Sequence, residues 1–195
     1  MKQPDFQITP PYGYDDIVPF QKTHRVLLRP GTTPGFCRAI NALAVSYGEL
    51  VAASRDYPIV FTSGDGGSTF APVVVLGLAQ RQNLFLTSQD DWDPTTYVPA
   101  FVRSYPFCIS KLYVDGTPRG ECMVCVAKTH VSSKGTALFD ASGAPNAQWG
   151  SIEKLLAEYE ADLDLTEQMC RHCQARTVFP NVVPGVRIGL TEPDP

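Results

Sequence analysis

The sequence predicts an α+β fold made mainly of antiparallel sheet in short strands, with short helices and one long C-terminal amphipathic helix. Short β-branched and apolar runs, separated by turn residues, fill the region before residue 140, which is the pattern of strands and hairpins. A single stretch with a helical period follows them. The chain also holds 17 prolines among 195 residues, and this excess favours turns and strand ends over further long helices.

The composition excludes several classes of protein. Hydrophobic residues make up 44% of the chain and charged residues 18%, which is too apolar for an intrinsically disordered protein. The 16 basic and 20 acidic side chains give a net charge of −4, so the electrostatic attraction that nucleic-acid binding needs is missing. A length of 195 residues fits one domain with a core large enough to fold without disulfides.

The hydropathy predicts a soluble, cytoplasmic protein without its own export signal. Met1 to Phe20 contains one lysine, four prolines and no apolar segment of the length that a secretory signal needs. The longest apolar run, Ala71 to Ala79, has nine residues, whereas a membrane helix needs about 20. We therefore expect no direct membrane span, and attachment to a membrane only at its periphery through a partner.

The predicted strands follow apolar runs that end at proline, glycine or polar turns. The clearest pair, Pro58–Thr62 and Ala71–Leu78, flanks the loop Ser63–Ser68 and predicts a hairpin. A second hairpin is predicted from Phe107–Val114 and Glu121–Ala127, which enclose a glycine-containing turn. Shorter strands are predicted at His24–Leu28, Asn83–Leu86 and Leu138–Asp140.

The predicted helices differ in length and in the signals that start them. Ser46 and Glu49 have the spacing of a capping box, which predicts a short helix over Tyr47–Ser54. Thr96 is placed to cap a second short helix over Tyr97–Ser104. The long helix is predicted over Ile152–Cys173, with an apolar stripe formed by Ile152, Leu155, Leu156, Tyr159, Leu163, Met169, Cys170 and Cys173.

The domain organisation is predicted from where the periodic patterns begin and end. Residues 1–21 are rich in turns and show no hydrophobic period, so they predict an extended arm. Residues 22–176 contain all the predicted strands and helices and are interpreted as a single domain. Residues 177–195 are interpreted as a C-terminal tail.

The arm contains three aromatic side chains, Tyr12, Tyr14 and Phe20, with nothing regular in the arm to pack against. Aromatic residues are enriched at the centres of protein interfaces, and extended proline-containing segments commonly lie along another protein surface. We therefore predict that these three residues bind a partner. On this interpretation, deletion of residues 1–20 leaves a folded protein that no longer co-purifies with that partner.

The six cysteines include two C-x2-C pairs, Cys122 with Cys125 and Cys170 with Cys173. Four thiolates can hold a tetrahedral zinc ion, so a metal-binding or thiol-dependent module is the alternative function. The pairs are 44 residues apart, against about 15–20 in a compact zinc module. Residues three apart on a strand point to opposite faces, and a reduced thiol on a helical apolar stripe packs as a small hydrophobe. Packing in the core is the favoured interpretation of both pairs.

No other motif predicts catalysis or a cofactor. The G-x-S-x-G turn of a hydrolase is absent, and His24, His130 and His172 show no catalytic spacing. The loop Gly64–Ser68 leads into a strand, so it lacks the helix N-terminus that phosphate-binding loops use. A small-ligand site at this loop is a third hypothesis, which only the flexibility of its sequence supports.

Several motifs in the chain resemble those of the SapC family. The segment Arg55–Phe61, RDYPIVF, is similar to its signature, and Tyr97–Phe107, YVPAFVRSYPF, is similar to a second motif. Shorter similarities occur at His24–Gly31, Asn41-Ala42, Leu76-Gly77-Leu78, Asn83-Leu84-Phe85, Trp92 and Leu138-Phe139-Asp140 with Gly143. Together they cover roughly residues 20–170.

The SapC resemblance implies an accessory role in the bacterial cell envelope, because the family is named for a gene linked to export of S-layer proteins. It brings no catalytic residues with it. Family members continue past the long helix with a β-rich segment, whereas this chain ends about 20 residues after Cys173, so we expect a divergent C-terminus and a sheet edge that a partner completes. The sequence thus predicts a non-enzymatic accessory or structural subunit that docks onto protein partners in a homo- or hetero-oligomeric assembly.

Overall fold

The computed structural model describes residues 6–29, 31–63, 65–114 and 117–176. In chain order its strands and α-helices are β1 (Phe6–Ile8), β2 (Ile17–Pro19), β3 (Arg25–Val26), β4 (Ala42–Ala44), α1 (Leu50–Ala53), β5 (Ile59–Thr62), β6 (Ala71–Val75), α2 (Ala100–Ser104), β7 (Phe107–Val114), β8 (Thr117–Ala127), β9 (Thr136–Ala137) and α3 (Ala147–Ala175). Short 3-10 turns lie at Gly35–Ala39, Tyr47–Glu49 and Lys128–His130. The pairings between these strands are antiparallel, which confirms the α+β class.

The chain folds as two compact units, where the sequence predicted one domain over residues 22–176. Unit 1 consists of residues 1–31 and 104–157, and unit 2 consists of residues 32–103 and 158–195. Helix α3 begins in unit 1 and ends in unit 2. The predicted tail, residues 177–195, lies outside the described residues.

Unit 1 is built on the long hairpin of β7 and β8. The sheet has the order β1-β7-β8-β2, and a separate small sheet pairs β3 with β9. The hairpin register runs from Phe107 opposite Val126 to Val114 opposite Thr117, with an irregularity between Lys111 and Tyr113. The core of this unit is formed by Val26, Phe107, Val126, Leu138, Trp149 and Leu156.

The segment predicted as an extended arm supplies both edge strands of this sheet. β1 pairs with β7, with Phe6 opposite Val114, and β2 pairs with β8, with Ile17 opposite Ala127. Ile17 is buried. Each strand has only three residues, too short for alternation of polar and apolar residues to stand out in the sequence. The prediction of an arm outside the domain is corrected accordingly.

Unit 2 is built on a sheet of order β4-β6-β5. The predicted hairpin is present, with Ile59 of β5 opposite Val74 of β6 and Thr62 opposite Ala71. β4, which the sequence did not resolve as a strand, pairs Ala42 with Val75 on the other side of β6. The core is formed by Cys37, Ile40, Leu43, Val45, Ala53, Tyr57, Val74, Leu76, Trp92 and Val102.

Of the two short helices predicted in unit 2, the first has its predicted cap and the second begins later than predicted. The predicted capping box is present, because the Glu49 carboxylate accepts hydrogen bonds from the Ser46 N–H and hydroxyl at 2.9 and 2.8 Å. The predicted helix Tyr97–Ser104 begins only at Ala100. Val98 precedes a proline, which disfavours the helical backbone conformation at that residue.

Helix α3 begins five residues before its predicted start at Ile152. The Asn146 side-chain oxygen accepts the Trp149 N–H at 2.9 Å, and this cap starts the helix early. Farther along, Leu156 and Cys170 are buried, whereas Leu163 is 39% exposed, so the predicted apolar stripe is only partly covered.

In unit 2 the later part of α3 packs on the capping-box turn. The Tyr47 N–H donates to the Thr166 hydroxyl at 2.7 Å. A Cβ atom at Gly48 would overlap the Asp162 carboxylate, so a larger residue at this position would displace the Asp162 side chain.

Two predicted strands are wrong in position. Asn83–Leu86 forms no strand, and only a single bridge joins Leu86 to Trp92. The predicted strand Leu138–Asp140 is replaced by β9, which ends at Ala137. The Asp140 carboxylate accepts the Ser142 N–H at 2.8 Å, and this local turn competes with extended pairing.

Candidate functional site

Four aromatic rings pack together in unit 1. Phe20 stacks on Trp149 with ring centroids 4.6 Å apart, and it meets Phe107 edge-on at 5.2 Å. The Trp149 ring also lies 5.4 Å from that of Phe139. Phe107 and Trp149 are buried, whereas Phe20 and Phe139 are half-buried. The cluster therefore closes the core on one side and reaches solvent on the other.

Backbone and cap hydrogen bonds fix the rings in place. Phe20 follows β2 directly, and its N–H donates to the Val124 carbonyl of β8 at 2.9 Å. Trp149 is held in the first turn of α3 by the Asn146 cap. The same asparagine donates its side-chain N–H to the Ala137 carbonyl at 2.9 Å. The start of the helix is thus tied to β9, and the ring that it carries is positioned by both elements.

A groove of about 480 Å³ opens beside this cluster, and we call it the unit 1 groove. It is lined by Phe20, Lys22, Cys122, Met123, Val124, Phe139, Pro145, Trp149 and Glu153. The lining includes three consecutive residues of β8. Since successive residues of a strand point to opposite faces, the groove lies at the edge of that strand and does not lie on one face of the sheet.

Two exposed charges of opposite sign flank the aromatic lining of the groove. The Lys22 ammonium lies 5.3 Å from the centroid of the Phe139 ring, within cation–π range. Glu153 lies four residues after Trp149 on α3, and therefore on the same side of the helix. The groove can therefore hold a segment that is apolar at its centre and charged beside it.

The three predicted partner-binding residues occupy different environments. Tyr14 is 7% exposed, and its hydroxyl donates to the Phe107 carbonyl at 2.8 Å. Its role is thus to hold the chain before β2 onto β7, which corrects the prediction that its side chain docks onto a partner. Tyr12 is 39% exposed and stays available at the surface. Phe20 lies in the unit 1 groove.

The first C-x2-C pair is split between surface and core. Cys122 is exposed and lines the groove, whereas Cys125 is buried opposite Cys108 of β7. Burial raises the pKa of the Cys125 thiol to about 11, and burial with the neighbouring Cys125 raises the pKa of Cys108 to about 12. The alternation predicted from the strand is confirmed, and one thiol of this pair is held protonated in the core.

The second pair lies on the part of α3 that belongs to unit 2. Cys170 is buried and Cys173 is half-buried. Among residues 6–29, 31–63, 65–114 and 117–176, no three histidine, cysteine, aspartate or glutamate side chains are grouped as a metal ion requires. The four-cysteine zinc site stays a prediction, and metal analysis tests it: less than about 0.2 zinc per purified chain rejects it.

The RDYPIVF segment holds a buried polar network in unit 2. The Asp56 carboxylate accepts the Tyr97 N–H at 2.7 Å, and the Tyr57 hydroxyl donates to the Tyr97 carbonyl. That hydroxyl also accepts the Trp92 indole N–H at 3.0 Å. Adjacent residues of one motif thus bind both backbone groups of the first residue of the YVPAFVRSYPF motif. The two motifs are thus held together by hydrogen bonds within unit 2.

Glu49 extends this network to α2. It is 4% exposed, yet its second carboxylate oxygen accepts the Tyr97 hydroxyl at 3.1 Å and the Ala100 N–H. The Arg103 guanidinium donates to the same tyrosine hydroxyl at 3.1 Å. A buried carboxylate with this many donors is held as a structural cap for α2.

In the loop that the sequence offered as a small-ligand site, the Asp65 carboxylate is bound by neighbouring residues of the same loop. Asp65 accepts hydrogen bonds from the Thr69 N–H and hydroxyl, both at 2.8 Å, and from the Ser63 hydroxyl at 2.8 Å. These bonds, with Thr69 contributing most, lower the pKa of Asp65 to about 2. The donors that would receive an anionic ligand are therefore already bound to Asp65.

Most of the chain matches the model of one known protein family. The family model described as SapC matches residues 21–186. This chain belongs to the SapC family. No curated protein and no solved structure matches the sequence. The SapC match covers unit 2 up to residue 186 and unit 1 from residue 21 onward, including every residue that lines the groove except Phe20.

The SapC match extends beyond the motifs that carry the resemblance in the sequence. Those motifs cover roughly residues 20–170, and the match continues past the end of α3 at Ala175 to residue 186. In the described residues, no helix is both long and apolar enough to cross a membrane.

The sequence did not identify four groove residues: Lys22, Phe139, Trp149 and Glu153. They come from segments more than one hundred residues apart in the chain, and only the fold brings them together. One usable signal was present, because Asn146 lies three residues before Trp149, which is the spacing of a helix cap. A helix started there would have placed Trp149 and Glu153 on the same side.

Proposed function

We propose that this SapC-family chain is a non-enzymatic accessory subunit that docks onto another polypeptide, and that the unit 1 groove holds the docked segment. The observation that carries the proposal is the groove lining: two half-buried phenylalanines and Trp149 lie beside Lys22 and Glu153. Apolar surface bordered by polar residues is typical of protein-interaction sites. The groove volume of about 480 Å³ falls within the roughly 300–1,000 Å³ of ligand sites.

The lining defines the chemistry of the partner segment. An aromatic or branched aliphatic side chain suits the rings of Phe20, Phe139 and Trp149, since offset and edge-on aromatic contacts each add roughly 0.5–1.5 kcal/mol beyond area burial. An acidic residue suits Lys22, and a basic residue suits Glu153. The occupant that fits is an extended peptide segment with one apolar anchor and charges of both signs around it.

The biological setting of this docking function comes from the family. The SapC resemblance supports a role beside the cell envelope, in S-layer protein export or a larger assembly. We infer a cytoplasmic subunit that reaches the membrane only through its partner.

The two tryptophans of the chain provide the test. Trp149 lines the groove, while Trp92 belongs to the core of unit 2 and serves as an internal control. The probe is a nine-residue synthetic peptide with a central phenylalanine, one aspartate and one lysine. We expect it to shift the Trp149 indole N–H signal in ¹H–¹⁵N spectra of the full chain, saturably and with the Trp92 signal unchanged.

A matched peptide with alanine in place of phenylalanine separates docking from nonspecific binding. We expect it to bind at least tenfold more weakly, because the apolar anchor supplies most of the buried area. A Trp149 signal that stays fixed at millimolar phenylalanine peptide, or one that responds equally to both peptides, would rule out the groove as a docking site. A Trp149→Phe variant assigns the two indole signals.

A further inference from the structure

The loop at residues 77–84 of unit 2, which we call the Leu78 loop, presents an apolar side chain to solvent. Leu78 is 92% exposed, which is the largest exposed fraction among the large apolar side chains of the described residues. Two residues earlier, Leu76 is fully buried in the core of unit 2. Packing within unit 2 therefore accounts for Leu76 and does not account for the side chain of Leu78.

Hydrogen bonds close the Leu78 loop on itself. The Gln82 side-chain oxygen accepts the Leu78 and Ala79 N–H groups at 3.0 and 3.1 Å. A Cβ atom at Gly77 would overlap the Gln82 carbonyl oxygen, and because that oxygen belongs to the backbone, this close approach requires glycine. Since the loop is already ordered, little conformational entropy is lost when a partner buries Leu78.

Arg81 adds a positive charge to the Leu78 loop. It is the only charged residue among residues 77–84, and its side chain is exposed. In the part of the chain that the structure describes, Arg81 belongs to no ion pair. The Leu78 loop thus offers one apolar anchor with one cation three residues away.

The unit 1 groove offers the complementary chemistry. The rings of Phe20, Phe139 and Trp149 give it an apolar lining, and its volume of about 480 Å³ exceeds that of a leucine side chain. Glu153 at its border is exposed and, like Arg81, forms no ion pair within the described residues. An apolar side chain followed by a cation therefore suits this lining.

The second charge of the groove sets the direction of the occupant. The Lys22 ammonium lies 5.3 Å from the centroid of the Phe139 ring, whereas Glu153 lies on the same side of α3 as Trp149. A cation is repelled near Lys22 and attracted near Glu153. Arg81 therefore has one favourable position in the groove, beside Glu153.

Building on the docking function proposed for the groove, we propose that its occupant is the Leu78 loop of a second copy of this chain. Leu78 of one copy packs against the aromatic rings of the groove in the next copy, and Arg81 of the first pairs with Glu153 of the second. The contact is heterologous, because the loop and the groove are different surfaces. Each copy that joins leaves one loop and one groove unused, so the association continues past two chains or closes into a ring.

Sedimentation velocity of the full chain at increasing concentration tests this inference. One leucine anchor and one partly exposed ion pair give weak association, so we expect the average mass to rise from 21.3 kDa toward several chains between about 5 and 200 μM. Leu78→Lys should weaken this association about tenfold or more, because the apolar anchor is lost. Val51→Lys, which replaces a 75% exposed side chain of unit 2, is the matched control and should associate like the wild type.

Charge reversal tests the pairing of Arg81 with Glu153. Arg81→Glu and Glu153→Lys should each weaken the association about fivefold. A chain that carries both substitutions should return to within about twofold of the wild type, because the pair is restored with its signs exchanged. A structural effect of either substitution would not be reversed by the other.

A mixture of two impaired chains tests the head-to-tail geometry. Leu78→Lys keeps an intact groove, and Glu153→Lys keeps an intact Leu78 loop. At a concentration where neither variant associates alone, we expect an equimolar mixture to form complexes of two chains. These complexes should not grow further, because the loop and the groove that remain unused are the impaired ones.

A wild-type chain that stays monomeric at about 200 μM, an association that Leu78→Lys leaves unchanged, or a mixture that stays monomeric would overturn the inference. The phenylalanine peptide separates such a failure from failure of the docking function when it is added to Leu78→Lys, whose groove no second copy fills. A saturable shift of the Trp149 signal in that variant retains the groove as a docking site for another polypeptide, and the absence of a shift rejects both proposals.

Discussion

The Tyr57 hydroxyl connects two of the segments that carry the SapC resemblance. It donates to the Tyr97 carbonyl and accepts the Trp92 indole N–H in the core of unit 2. Burial raises the pKa of Tyr57, so the hydroxyl stays protonated and able to donate at neutral pH. Together with the Asp56 bond to the Tyr97 N–H, this hydroxyl gives two residues of the RDYPIVF segment a structural role in unit 2.

Removal of the Tyr57 hydroxyl should lower the stability of the fold. Tyr57→Phe leaves a buried N–H and a buried carbonyl without their partner, so we expect the free energy of unfolding to fall by about 1–3 kcal/mol. Urea denaturation measures it. Tyr12→Phe removes a hydroxyl from a 39% exposed ring and should change stability by less than about 0.5 kcal/mol. Equal effects of the two substitutions would contradict the role given to the network.

The thiols should differ in reactivity because only a thiolate reacts with alkylating agents. Burial raises the pKa of Cys37 and Cys108 to about 12 and that of Cys125 to about 11. At pH 8 these three groups are therefore almost wholly protonated. In the folded protein we expect iodoacetamide to modify Cys122 and Cys173 first, and all six cysteines only in denaturant, as mass spectrometry of timed samples would record. Modification of Cys125 as fast as Cys122 would contradict the split of that pair between core and surface.

At the scale of elements, the largest difference between the sequence prediction and the structure concerns the first twenty residues. They supply β1 and β2, the buried Ile17 and the Tyr14 hydroxyl bond to β7. The sequence could not reveal this, because three-residue strands lie below the length at which alternation is recognisable, and their pairing partners are about a hundred residues away.

Truncation tests this reassignment. Deletion of residues 1–20 exposes both sides of the β7–β8 hairpin and removes the buried side chains of Tyr14 and Ile17, each worth about 1.5–3 kcal/mol. We therefore expect the unfolding free energy to fall by at least about 3 kcal/mol in urea denaturation. A chain that lacks only residues 1–5 is the control. If the longer deletion unfolds at the same urea concentration as this control, the segment is a dispensable arm after all.

Other elements were predictable because their signals are local. The capping box at Ser46 and Glu49 and the hairpins around β5–β6 and β7–β8 depend on residues close in sequence. The strand predicted at Asn83–Leu86 is wrong because Phe85 and Leu86 pack against the unit 2 core without forming a strand, while Leu84 is exposed. The groove residues were the least predictable. The sequence pointed to Cys122 as half of a C-x2-C pair and to Phe20 as an aromatic residue of the arm. Only the fold brings both into the same groove as Trp149.

At the scale of the molecule, the chain consists of two compact units with different features. Unit 1 carries the aromatic groove with charges of both signs, and unit 2 carries the hydrogen bonds that join Asp56, Tyr57 and Glu49 to Tyr97. The docking groove suits a subunit of a larger assembly, and Glu153→Lys alters its charge without touching unit 2.

The most direct test of docking through the groove uses its two charges. Three labelled peptides share one phenylalanine anchor and carry two acidic flanks, two basic flanks or one of each; their affinities for the full chain are measured by fluorescence anisotropy. The wild-type chain should prefer the mixed peptide, Glu153→Lys the acidic one and Lys22→Glu the basic one, each by about fivefold, since a partly exposed charge pair contributes roughly 1 kcal/mol. The surface variant Lys134→Glu should rank the peptides as the wild type does. The same order of preference in wild type, Glu153→Lys and Lys22→Glu would contradict docking in the unit 1 groove.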